Sequence, residues 1–297
     1  TVEVKNLGGA AGSYDLVDTP TFDDDITINT AAYSFTSDAI PASGGGSLST
    51  INGASNTLAN DVTILAGEKK TYTLSYNVKL DLSSTSTGDN IYTACGSGTP
   101  GDPIPGEGLY NATALYLNDD NLPEQRDEVC GDLPYITHDK SGPVISAQLP
   151  NRSYNVTYTV KVRNTGGATG VYTLYDTPNF ENDITINSAS YTRDIPALPL
   201  PGNPAPLLST TNGVQNTLSS NQSIAAGVEQ TYTLVYNVSL DLTTGTAGVY
   251  DTYTACGTAT PGNPAPGEGL YNMTSLDDGA NGSIDETDEV CGDLPYI

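Results

Sequence analysis

The feature that most constrains this chain is one long series of motifs that occurs twice. The segment NLGGAAGSYDLVDTP at 6–20 returns as NTGGATGVYTLYDTP at 164–178, and TYTLSYNVKLDL at 71–82 returns as TYTLVYNVSLDL at 231–242. Ordinary solenoid repeats are far shorter, about 20–50 residues, so each copy here is a whole domain. We predict two tandem domains, 1–136 and 137–297, joined by a short connection at 137–143.

The strands of these domains are visible as alternation. In 71–82 and in 154–162, apolar residues alternate with polar ones, which indicates strands with one buried face and one solvated face. Shorter strands are expected at 14–17 and 26–28, and no segment has a convincing helical period. Many short strands separated by Gly, Pro, Asn and Ser clusters predict an all-β chain of two β-sandwich domains.

The first copy lacks the start of its opening strand. Thr1 aligns with Thr159, but the second copy has the segment Ser153–Tyr158 ahead of that point. Two explanations are open: the sequence is an excerpt from a longer array, or the missing half-strand comes from a neighbouring molecule. An exposed strand edge favours such donation.

The four cysteines stand at equivalent places in the two copies. Cys95 and Cys130 are spaced as Cys256 and Cys291 are. Three pairings are possible, but only one disulfide within each copy lets each domain fold alone. On the entropic model each would contribute roughly 3–4 kcal/mol. Cys-x-x-Cys spacing is absent, so zinc is a poor alternative, and disulfides predict an extracellular or cell-surface location.

The charge excludes several classes of partner. The formal net charge of −25 argues against nucleic acid, whose phosphates need clustered Lys and Arg. No apolar stretch approaches the roughly 18 residues of a membrane span, so no membrane insertion is expected. An acidic surface suits solvation, cationic partners or divalent metals.

Acidic loops between the paired cysteines are the candidate metal sites. Flexible loops rich in carboxylates and Asn are suited to Ca²⁺, which takes 6–8 oxygen ligands. No cofactor is required by any motif, and a solvated acidic loop is the alternative. The candidate ligands are Asp119, Asp120, Asp277, Asp278 and Asp285, with a weaker cluster at Asp23, Asp24 and Asp25.

Two further kinds of site are weighed. Asn111 and Asn272 lie in equivalent Asn-x-Thr sequons and are the first candidates for N-glycosylation, although the number of sequons is near what chance gives. No catalytic residues are predicted, because His138 is the only histidine. A Lys–Asn isopeptide crosslink is discounted, because Lys5 is replaced by Arg163 in the second copy.

The motifs resemble a family. The pattern NxGGxxGxYxLxDTPxF, then DITIN, AGxxxTYTLxYNV, PGEGLYN and a closing EVCGDLPYI, is similar to the DUF11-like, Ig-like conserved repeats of large prokaryotic surface proteins. The resemblance implies two tandem Ig-like β-sandwich domains and cell-surface display, and it supplies no catalytic residues to transfer. We expect a structural segment of an extracellular filament, sheath or adhesin stalk that associates with itself or with neighbouring repeats. Strand complementation between subunits is the expected mode of polymerisation. The alternative is an adhesive module that binds glycans through loops at 34–51 and 192–210.

Overall fold

The computed structural model describes residues 1–39, 43–83, 88–98, 101–117, 122–194, 207–242, 252–260, 262–279 and 282–295. These residues form an all-β structure of four antiparallel sheets, which confirms the predicted class. None of the described segments is a helix long and apolar enough to cross a membrane. Two compact units are present: Thr1–Tyr135 with Gly166–Ala168, and Ile136–Thr165 with Thr169–Ile297.

The described residues of the first unit form eight strands in two four-stranded sheets. The sheet orders are β1-β6-β3-β4 and β5-β2-β7-β8. The strands are β1 (Val2–Lys5), β2 (Gly12–Pro20), β3 (Ile26–Ser37), β4 (Ser43–Ser47), β5 (Asn56–Ile64), β6 (Lys69–Leu80), β7 (Asn111–Tyr116) and β8 (Gln125–Val129).

The second unit repeats this plan, but an additional strand precedes the counterpart of β1. Its sheets run β12-β14-β10-β9 and β13-β11-β15-β16. The strands are β9 (Ile136–Ile145), β10 (Tyr154–Asn164), β11 (Gly170–Pro178), β12 (Ile184–Asp194), β13 (Asn216–Ile224), β14 (Glu229–Leu240), β15 (Asn272–Asp278) and β16 (Glu286–Val290).

Two segments that the sequence presented as loops are strands. The predicted connection 137–143 lies inside β9, which pairs antiparallel with β10 from Ile136↔Asn164 to Ile145↔Val156. Its side chains alternate between buried and exposed. The sequence did not reveal this alternation, because the residues on both faces are polar: Thr, His, Asp, Lys and Ser. The predicted loop at 34–51 contains the end of β3 and the whole of β4, a strand of Ser and Gly with no apolar signal.

The opening strand differs between the units, as expected. β1 has 4 residues and pairs with β6, whereas β10, with 11 residues, pairs with both β14 and β9. The core of the second unit is a single cluster that includes Tyr154, Val156 and Tyr158 of β10. The first unit has two separate clusters instead. Burial in the second unit is therefore deeper because β9 and the full β10 cover one side of the sandwich.

Candidate functional site

The predicted disulfides are both present. Cys95 pairs with Cys130 and Cys256 with Cys291, each bridge joining Cα atoms 5.9 Å apart, which is a normal separation for a disulfide. Each bridge closes a loop of 35 positions within one unit. The equal spacing of the cysteines in the two copies was therefore sufficient to predict the disulfide pairing.

Beside each disulfide lies a glutamate that organises the surrounding loops. Glu107 is 3% and Glu268 is 4% exposed. Glu268 accepts hydrogen bonds from the backbone N–H groups of Ala259, Ala265 and Gly257 at 2.8, 3.0 and 2.8 Å. These bonds stabilise the carboxylate and lower the pKa of Glu268, although burial opposes them. The PGEGLYN motif gave no sign of this role for its glutamate, because the motif does not record burial.

Strand β9 inserts two polar side chains into the interior of the second unit. The Nδ1 atom of His138 lies 3.0 Å from Glu286 Oε2, and its Nε2 atom lies 3.0 Å from Thr274 Oγ1. Burial alone would raise the pKa of Glu286, but the hydrogen bonds from the His138 ring and backbone outweigh it and lower the pKa. The backbone N–H of Lys140 donates to Asp288 Oδ2 at 2.6 Å. β9 is therefore bonded to β16 by side chains as well as to β10 by the backbone.

The Lys140 side chain ends in a closed polar cluster. Its Nζ lies 2.7 Å from Asp176 Oδ1, and both side chains are fully buried. The other carboxylate oxygen, Oδ2, accepts hydrogen bonds from Tyr236 Oη and from Asn272 Nδ2, the latter at 3.5 Å. The Lys140 ammonium also lies 5.2 Å from the ring centre of Tyr158. Strands β9, β11, β14 and β15 thus bring together residues far apart in the sequence.

The first unit contains the same acidic cluster without the lysine. Asp18, the counterpart of Asp176, is fully buried and accepts hydrogen bonds from Tyr76 Oη and from Asn111 Nδ2, the latter at 2.8 Å. Burial raises the pKa of Asp18. In the described part of the unit, no lysine is bonded to this carboxylate.

A cavity of about 230 Å³ lies in the first unit beside the start of β1. We call it the open groove. The nine residues that line it are Thr1, Val2, Leu74, Tyr76, Asn111, Thr113, Asp127, Glu128 and Val129. The counterparts of Thr113 and Asp127 are Thr274 and Asp288, which bind β9 in the second unit. The open groove is thus lined by residues whose counterparts contact β9 in the second unit.

The acidic candidates are partly brought together. Asp277 Oδ2 accepts the backbone N–H of Gly282 at 2.8 Å, and Asp285 Oδ2 accepts that of Asp278 at 2.8 Å. Burial, together with the nearby Asp285 carboxylate, raises the pKa of Asp278 to about 6. Asp119 and Asp120 lie outside the described residues. Ca²⁺ binding here stays a prediction.

The other acidic cluster has ligand geometry. One carboxylate oxygen each from Asp23, Asp24 and Asp25 lies within 4.8 Å of the others. Asp23 accepts hydrogen bonds from the backbone N–H groups of Asp25 and Thr93, so at least this carboxylate already organises the local chain.

The two sequons point inward. Asn272 is fully buried, and its amide nitrogen, the atom that a glycan would occupy, donates to Asp176. The Asn111 nitrogen donates to Asp18 in the same way. The packing therefore argues against N-glycosylation of either residue in the folded chain, because a glycan would break these contacts. The sequon motif carries no information on burial, so the sequence alone led to Asn111 and Asn272 as candidates.

Comparisons with known proteins show distant likeness only. No family model and no curated protein matches the chain. A solved biofilm-associated protein BSP domain is similar at 9% identity and a TM-score of 0.27, with 98% of this chain and 61% of that chain covered. A β-glucosidase from Streptomyces venezuelae is similar at 11% identity and a TM-score of 0.15, with 97% and 45% covered. The chain thus spans less than two thirds of either structure.

Proposed function

We propose that the chain is a non-catalytic structural segment of an extracellular filament, sheath or adhesin stalk, whose repeats are completed by strand complementation. The observation that supports this most directly is the contrast between the two units. In the second unit β9 fills a site on its own sandwich with His138 and Lys140. The first unit has the open groove over the equivalent residues. The two disulfides are in keeping with an oxidising compartment outside the cell.

The contacts in the second unit supply the pattern for the proposed partner. It is a β-hairpin of the same chemistry as residues 137–158, carried by a neighbouring repeat or subunit. Its outer strand presents a lysine to Asp18, and its inner strand extends β1 with alternating aromatic and β-branched residues, as Tyr154, Val156 and Tyr158 extend β10. The edge strand β1 supplies the backbone groups for this pairing.

A synthetic peptide of residues 137–158 tests the groove on the intact chain. We expect saturable binding of one peptide per chain by calorimetry. Thr113→Trp, which fills the open groove, should abolish it, whereas Thr63→Trp on the exposed face of β5 should not. Equal binding to both variants, or none to the wild type, would contradict complementation.

Electron microscopy of the purified native protein tests the assembly itself. Regular filaments with an axial repeat support the structural function. Dispersed particles at all concentrations, together with no peptide binding in the titration, would contradict assembly of the chain into a polymer.

A further inference from the structure

We propose that Lys140 and Asn272 form an intramolecular isopeptide bond, with Asp176 as the residue that transfers the proton. The bond would covalently link β9 to β15 inside the second unit. It is a modification site at a different lysine from the one that the sequence led us to discount.

The geometry places an amine and an amide on one carboxylate. Asp176 holds Lys140 Nζ at 2.7 Å through Oδ1 and Asn272 Nδ2 at 3.5 Å through Oδ2. Only the amide nitrogen can donate to a carboxylate, so the orientation of the Asn272 side chain is determined by this contact. Its other atom, Oδ1, is buried and has no hydrogen-bond partner. An unsatisfied buried oxygen is costly, and Asn111 Oδ1 in the first unit is unsatisfied as well, so the feature that distinguishes the second unit is the lysine on the shared aspartate position.

The surroundings favour the neutral amine that the reaction needs. Asp176, Asn272, Tyr158 and Tyr236 are all fully buried. Burial lowers the pKa of Lys140, although the Asp176 carboxylate opposes this. A lysine in an apolar site is a nucleophile in its neutral form, and holding both reactants in place replaces a large part of the entropic barrier.

The step balances without a co-reactant. The Nζ lone pair of Lys140 attacks Cγ of Asn272, the bond from Cγ to Nδ2 breaks, and a new bond from Cγ to Nζ remains. The Asp176 carboxylate accepts a proton from Nζ and delivers it to Nδ2, which leaves as ammonia. An amine and a primary amide thus become a secondary amide and ammonia, and nothing is oxidised or reduced.

The intact mass of the full chain, measured after reduction of its disulfides, tests the proposal. We expect the wild type to lie one ammonia, about 17 Da, below the mass of its sequence. Tandem spectra should contain a branched peptide that joins Lys140 to Asn272. Lys140→Arg keeps the charge, cannot form the bond and should have the full mass. On denaturing gels the wild type should also migrate faster than this variant, because the link closes a loop.

Three results would overturn the assignment. The first is a wild-type chain of full mass. The second is a deficit of about 17 Da that persists in Lys140→Arg, since an internal succinimide of an asparagine gives the same loss. The third is a deficit of about 18 Da with Lys140 joined to Asp176, since water would then have been lost to a different acceptor. The wild-type spectrum decides the question even if the variant does not fold.

Discussion

Tyr76 and Tyr236 hold the same place in the repeated TYTLxYNV motif and bind the same aspartate position, yet Tyr236 is fully buried whereas Tyr76 is partly exposed and lines a cavity. The difference arises from the neighbouring strands. Tyr236 packs edge to face against both Tyr158 of β10 and Phe180, whereas among the described residues Tyr76 has such a contact with Phe22. The burial of one side chain therefore depends on the strand that packs beside it.

Asp176 is paired with the buried Lys140, whereas its counterpart Asp18 is not bonded to a lysine in the described residues. We therefore expect replacement of the two aspartates to have different effects on stability. Asp176→Asn should destabilise the second unit by about 3–5 kcal/mol, since it leaves the buried Lys140 without its carboxylate partner and removes the group that would transfer the proton in the proposed amide bond formation. Asp18→Asn should change the free energy of unfolding of the first unit by less than about 1 kcal/mol, because burial already disfavours the charged form there. Urea unfolding of the two variants is the measurement. Equal losses would show that Lys140 does not distinguish the two sites.

Acid should destabilise the loops beside the disulfides. The pKa of Glu268 is lower in the folded chain than in the unfolded one, so its stabilisation is present above about pH 4.3 and is lost as the pH falls through the folded pKa. Glu107 has the same direction of shift, through hydrogen bonds from Gly98, Gly96 and Ile104.

Thermal unfolding between neutral and acidic pH measures this effect. Glu268→Gln should be less stable than the wild type at neutral pH and should flatten the acid dependence. The exposed Glu289→Gln is the control and should retain the wild-type profile. A Glu268→Gln variant as acid-sensitive as the wild type would rule out this carboxylate as the cause.

Each disulfide should stabilise its own unit. Replacing Cys256 and Cys291 together by serine should lower the free energy of unfolding of the second unit by about 4 kcal/mol on the entropic model. The Cys95 and Cys130 pair should act likewise on the first unit. Chemical denaturation with and without a reductant checks both values. A reductant that leaves the wild-type midpoint unchanged would contradict the prediction.

A calcium effect should depend on Asp278. Its carboxyl lies near Asp285, and a bound cation would relieve the repulsion that contributes to its raised pKa. At neutral pH we expect Ca²⁺ to raise the melting temperature of the wild type by a few degrees, and Asp278→Asn to remove most of that rise. The exposed Asp102→Asn is the control, and a rise that is the same in all three proteins would indicate non-specific screening.

Much of the fold was predictable because its signals are local or repeated. Alternation along β6, β10 and β14 identified these strands, and equal spacing identified the disulfides. Where the period was carried by polar or small residues, as in β9 and β4, the prediction was wrong. The buried polar cluster around Lys140 was not predicted, because Lys140 lies in the segment 137–143, which was interpreted as a connection between the domains.

The sequence by itself determined the class of fold, the two-fold repetition and the disulfide pairing, since each depends on period or spacing along the chain. Only the tertiary structure decided which polar residues are interior. Lys140, Asp176 and Asn272 meet because β9 folds across the edge of the sandwich, and their burial depends on strands distant in sequence. Burial is a property of what covers a residue, so identical motifs came to lie in a closed core in one unit and beside an open groove in the other.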